Sequence, residues 1–243
     1  MKIKHLSYPI LIFYGFTPSI IWLCYYLRKD VHPESNSEVL KVFFYGMLVA
    51  IPTALLEIGI FKLSNLLGFS SAFFTFFNVF IGVALVEEVA KYLVVKFEIL
   101  NNPEFDEPID AMLYMIIAAL GFASVENILI LLPFGESFML KEVISLSGFR
   151  FLTATFLHAL SSGAIGFFIA LSCFENKNRI ILVFLGITMA TILHGLFNFS
   201  IIVNEGRPES AITAIIIILI SLAIFVSLGL RKLKKLNSIC KIK

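Results

Sequence analysis

Charge is scarce in this 243-residue chain: Asp, Glu, Lys and Arg together make up 15% of it, against about 25% in a soluble domain. Set beside 59% hydrophobic residues, that shortage argues against a water-soluble fold. The net charge of +2 is too small for a nucleic-acid footprint, and no nucleic-acid partner is expected. Cysteine is equally sparse. Cys24, Cys173 and Cys240 are odd in number and show no CxxC or Cys/His spacing, so neither a disulfide framework nor a cysteine-built zinc site is supported. A signal-peptide cleavage site is also missing. Lys2 and Lys4 precede an apolar run, but that run ends in Cys24-Tyr25-Tyr26-Leu27-Arg28 without small residues and reads as a retained membrane helix. No repeat of fixed period and no low-complexity tract appears.

What is abundant is long apolar sequence. A bilayer span needs ~20 residues plus a connection, so the chain is expected to be all-α, a polytopic transmembrane bundle of about seven spans forming one integral-membrane domain over 1–243. Apolar runs between charged or Pro/Gly/Asn breaks place spans at 8–27, 42–61, 73–97, 109–132, 150–172, 180–203 and 211–230. Residues 133–149 read as an interfacial segment. With an odd number of spans the termini lie on opposite sides. Six Lys and Arg then fall on the N-terminal side and twelve on the side of the C-terminal tail. The positive-inside rule puts the C-terminus in the cytoplasm and the N-terminus outside a cell membrane.

An ionisable side chain at the centre of a span costs ~2.5–3.5 kcal/mol on insertion scales, so each asks for a partner or a task. Here they come in sets, within a motif-bearing core at 73–203. Glu87, Glu88 and Lys91 lie in the third span, Glu126 and Asn127 in the fourth, His158 in the fifth, and His194 with Asn198 in the sixth. Lys91 is three residues from Glu88 and four from Glu87, so one ammonium reaches both carboxylates along a helix face. Adjacent Glu87 and Glu88 diverge by about 100°, which sends one to a cavity and the other to brace a neighbouring helix. From their outer helix ends Glu126, His158 and His194 lie about 9, 12 and 14 Å deep, and Glu87 about 21 Å. A shared polar site follows. Glu57, alone near Pro52 in the second span, is expected to be structural.

The ordered series Glu87-Glu88-x-x-Lys91, Phe105-Asp106-Glu107-Pro108-Ile109-Asp110, Gly121-Phe122-Ala123-Ser124-Val125-Glu126-Asn127, Arg150 with His158-Ala159, and His194-Gly195-Leu196-Phe197-Asn198 resembles the PrsW family of intramembrane proteases. These are distant relatives of the CAAX prenyl proteases and bacteriocin-immunity membrane proteins. The resemblance implies hydrolysis of a peptide bond in a membrane-anchored protein or peptide such as an anti-sigma factor, at the outer side of the bilayer. In the CAAX-protease relatives the first Glu of the pair and a His ending a Phe-x-x-x-His motif activate water, and a His-x-x-x-Asn pair receives the oxyanion. Here Glu126 stands where that first His would be, which leaves His158 as its candidate replacement.

Amide hydrolysis needs an activated water, oxyanion stabilisation and a proton for the leaving amine. The catalytic candidates are therefore Glu87, Glu88, Glu126, His158, His194 and Asn198, supported by Lys91, Asn127 and Arg150. Which of Glu87 or Glu88 is the base stays open. Metal-free catalysis is favoured, because a carboxamide such as Asn198 is a poor zinc ligand and a good oxyanion donor. Zinc stays open as the alternative, on Glu87, Glu126, His158 and His194. Two other functions compete: an ion- or proton-coupled transporter, against which no inverted repeat is visible, and a non-catalytic immunity or scaffold protein.

Overall fold

The computed structural model describes residues 7–29, 32–134, 139–175, 177–204 and 208–236. Lys2, Lys4, Arg207, Lys241 and Lys243 of the charge count, and Cys240, lie outside these. The described residues form α1 (Tyr8–Leu27), α2 (Asn36–Leu66), α3 (Ser71–Phe77), a π-helical segment (Asn78–Leu85), α4 (Val86–Glu98), α5 (Pro108–Leu131), α6 (Leu140–Leu152), α7 (Ala154–Ser172), α8 (Arg179–Val203) and α9 (Pro208–Leu233), with no strand among them. The α3–α4 and α6–α7 pairs each run on as one long apolar element. Among the described residues seven elements are thus long and apolar enough to cross a membrane, as the sequence predicts.

The fifth of these starts about ten residues before the expected boundary, at Leu140 rather than 150. Two of its charged residues find partners within the chain, an exposed helix cap at one end and an ion pair at the other. Glu142 accepts the Met139 N–H at 2.9 Å and so caps α6, while Arg150, in the last turn, faces Glu126 of α5. The helix then breaks at Thr153 (φ −120°, ψ −90°) before α7 begins. Trp22 of α1 donates its indole N–H to the Phe151 carbonyl beside that break, at 2.9 Å.

The π-helical segment has a local cause. The Asn78 amide donates to the Phe74 carbonyl at 2.8 Å and to Ser64 of α2 at 2.9 Å, inserting a side chain into the backbone ladder. A widened turn resets which face the following residues present, and such turns concentrate at functional sites. The residues that follow are Glu87 and Glu88.

At the centre stands α5, buried from Pro108 through Ser124 and packed against α1, α2 and α7. Without a hydrophobic force between helices in lipid, close packing of small residues substitutes for it. A Cβ on Gly121 would meet the Phe43 carbonyl of α2, and one on Gly166 of α7 would meet Ala111 and Met112 of α5 at about backbone contact. Gly121→Ala is therefore expected to cost ~1–3 kcal/mol by overpacking. Thermal unfolding in detergent should show it as a lowered Tm. An unchanged Tm would contradict the α2–α5 approach.

Candidate active site

Between α2, α4, α5, α6, α7 and α8 lies a cavity of about 270 Å³ whose polar walls are Glu57, Glu87, Glu126, His158, His194 and Asn198, with Arg150 at its side. The remaining lining is apolar: Phe122, Leu129, Leu157 and Phe197 among others. Residues from spans far apart in sequence therefore meet at one place.

The adjacent glutamates separate as helical geometry requires. Glu87 lines the cavity. Glu88, fully buried, turns into the bundle, where Ser161 and Ser162 of α7 each donate to one of its oxygens at 2.9 Å. Lys91 has no exposed surface. Its ammonium lies 3.0 Å from Glu87 Oε2, 3.1 Å from Glu88 Oε1 and 2.8 Å from His158 Nδ1, with the Phe122 ring 4.5 Å away. A lone buried cation would be very costly. Two carboxylates, an imidazole lone pair and an aromatic face make this one sustainable.

Hydrogen bonding fixes the tautomers of both histidines. An ammonium only donates, so His158 Nδ1 accepts from Lys91 and its proton sits on Nε2, which donates to Glu126 Oε2 at 2.7 Å. Glu88 Oε1 accepts from His194 Nδ1 at 2.9 Å, which places the lone pair of that ring on Nε2. Each imidazole thus has one N–H anchored on a carboxylate; the other nitrogen of His194 faces no donor among the described residues, whereas that of His158 accepts from Lys91, whose ammonium an ion at that nitrogen would displace. The two rings meet edge to face, with centroids 5.1 Å apart.

Glu126 is held from the other side by Arg150, at 3.2 Å. Arg150 Nε donates to the Asn127 carbonyl oxygen, and the Asn127 amide donates to Thr155 at 3.0 Å and to the Gly15 carbonyl at 3.3 Å. Asn127 therefore ties α1, α5, α6 and α7 together and does not face the cavity. Asp110 is apart from the site too. It accepts the Asp106 and Glu107 N–H groups at 3.1 and 2.7 Å, capping the start of α5, sixteen residues or about 24 Å of helical rise from Glu126.

Three contributors were not anticipated. Ser161 and Ser162 follow His158 by three and four residues, a spacing that could have marked them as polar partners on the same helix face. The third is Glu57, expected to be structural, which the structure places on the cavity wall.

A metal ion has a chemically suitable seat. Ligand atoms of Glu87, His158 and His194 all lie within 4.8 Å of one another, and all three residues are buried. Anchoring the second imidazole N–H on a carboxylate is how metal-binding histidines are oriented, and Glu126 and Glu88 do this here. The residues fit. Glu126, placed in the four-residue set expected from sequence, sits outside the trio and supports His158 from behind.

A polytopic bundle that buries carboxylates, imidazoles and a carboxamide around one small cavity has the makings of a membrane-embedded hydrolase. The comparisons with known proteins agree. The profile of the PrsW family intramembrane metalloprotease matches residues 34–228. Among curated relatives, Protease PrsW of Geobacillus kaustophilus is 30% identical over 197 residues, 80% of this chain and 81% of the relative. Protease PrsW of Bacillus subtilis is 28% identical over 229 residues, 93% and 94% of the two chains. That of Clostridioides difficile is 29% identical over 221 residues, 90% and 87%. No solved structure matches. The chain belongs to the PrsW family of intramembrane proteases, and it is a multi-pass membrane protein with a protein substrate.

Proposed function

We propose that the chain is a metal-dependent endopeptidase that cuts a membrane-anchored protein or peptide at the cavity, with Glu87, His158 and His194 holding a divalent ion such as zinc. The observation that carries this is the convergence of those three side chains, with each imidazole braced by a carboxylate. A metal so held supplies Lewis acidity, lowering the pKa of water and polarising a carbonyl. The protein's own groups do the rest. Glu88 and Glu126 hold the rings of His194 and His158 in place. Asn198 offers its carboxamide N–H to the oxygen of the scissile carbonyl, and Arg150 adds positive charge to the lining. Glu57, also in the lining, is available to carry a proton to the leaving amine. The apolar lining excludes bulk water, which strengthens each of these interactions.

A second reading rests on Lys91. Its ammonium already stands within 3.1 Å of Glu87, Glu88 and His158, so Glu87 could act as a base without metal, with His194 and Asn198 receiving the oxyanion. Metal removal separates the two readings. The domain is one integral-membrane unit with its chemistry in 73–203, and the bilayer is its other partner.

Cleavage itself is tested by mass spectrometry of single-span proteins after co-expression. Truncated products are expected with the wild type and not with Glu87→Gln. Identical product sets in both would overturn the assignment.

Orientation follows from the basic bias: the C-terminus is cytoplasmic and the cavity lies in the outer half of the membrane. A cytoplasmic reporter enzyme fused after Lys243 should be active and an exported one silent. The reverse result would invert the topology and move the cavity to the inner half.

A further inference from the structure

Apart from the cavity, on another face of α7, a groove of about 620 Å³ opens between α1 and α9, with α7 as its floor. Its apolar wall is built on Trp22, whose ring stacks on Phe156 at 4.2 Å. Its mouth carries Lys29, just past the end of α1, with Arg231 and Lys234 at the end of α9. Both helices run in the same direction through the bundle, so the three cations gather at one membrane surface. Among the described residues no carboxylate pairs with any of them.

The geometry points to a binding site for one anionic glycerophospholipid, with its phosphate among Lys29, Arg231 and Lys234 and an acyl chain laid along Trp22 and Phe156. Charge complementarity selects this occupant. A slot that is apolar along its length and cationic only at the interface matches a molecule that is apolar along its length and anionic only at its head. A zwitterionic lipid would leave the cationic mouth without net compensation. The site is independent of the protease reading. It touches the same helix, though: Phe156 lies two residues from His158, so an occupant would press on the segment that delivers that histidine to the cavity.

Trp22 is the only tryptophan in the chain, which makes the groove its own reporter. It lies seven residues from Lys29, about 10 Å along the helix axis, at the level of the upper acyl chain. The full chain is placed in vesicles of equal parts phosphatidylcholine and phosphatidylglycerol, with bromine on the acyl chains of one lipid or the other. Bulk composition is then identical, and only the identity of the lipid at Trp22 differs. Each interfacial cation contributes roughly a fivefold preference for anionic lipid. Three together multiply to about a hundredfold in occupancy, so quenching should favour brominated phosphatidylglycerol by at least about tenfold. The Lys29→Gln, Arg231→Gln, Lys234→Gln variant should lose the difference, and Arg231→Lys alone should keep it. Equal quenching by the two lipids in the wild type, an arm that needs no variant, would overturn the proposal. So would a preference that survives in the triple variant. Relief of quenching from both lipids alike by an added single-span peptide with acidic flanks would also overturn it, and would give the groove to a protein helix.

Discussion

Glu87→Gln, His158→Ala and His194→Ala are each expected to remove cleavage by a factor on the order of 10⁴ or more, the scale at which one member of a concerted catalytic set is lost. Because the three act as a unit, combining them should be hardly worse than any one. Additive losses would show that they act separately. Folding should survive Glu87→Gln, since Lys91 keeps Glu88 and His158 as partners. Glu88 is a different case. It accepts from Ser161, Ser162, His194 and Lys91 together, and removing one partner of a buried charge network costs ~3–5 kcal/mol. Glu88→Gln should thus lower both yield and Tm, and Glu87→Gln should lower turnover alone. Purified protein in detergent, followed by circular dichroism and a single-span substrate, distinguishes the two. The bracing role of Glu126 implies an intermediate loss, about 10–100-fold for Glu126→Gln.

Asn198→Ala is expected to leave substrate binding near wild type and to lower kcat by about 10²–10³. The argument is positional. Asn198 lies one turn from His194 on α8 and lines the cavity beside it, and a carboxamide stabilises developing negative charge through its N–H donors without altering the charge of the ground state. Such a donor strengthens its bond as the oxyanion forms, so the loss belongs in kcat. A raised KM with unchanged kcat would instead make Asn198 a substrate-positioning residue.

The spans were legible because an apolar stretch of twenty or more residues leaves few alternatives, and the first was placed to the residue at Tyr8–Leu27. The early start of the fifth was not legible. Lys141 and Glu142 look like an interface, and the Met139 N–H that Glu142 caps shows only once the helix is known to begin at Leu140. The widened turn at Asn78–Leu85 depends on Ser64 of another helix and has no sequence signal of its own. Spacing did foretell that Lys91 reaches both glutamates and that these diverge, because helical periodicity alone dictates it. Spacing could not foretell which carboxylate would support which histidine. The pairings Glu126–His158 and Glu88–His194 cross helices, and they put Glu126 behind a candidate ligand rather than among the ligands. Glu57, read as structural, lies on the cavity wall, and a solitary ionisable residue in a span gives no hint of what faces it.

The most direct measurement is metal content and cleavage on the same sample. The account predicts that wild-type protein purified without chelator carries about one equivalent of zinc or a similar divalent ion, in line with a single three-ligand site. Exhaustive chelation should abolish cleavage, stoichiometric zinc should restore it, and His194→Ala should bind no metal while remaining folded. Full cleavage by protein shown to be free of metal would contradict the account and return the chemistry to Glu87 and Lys91.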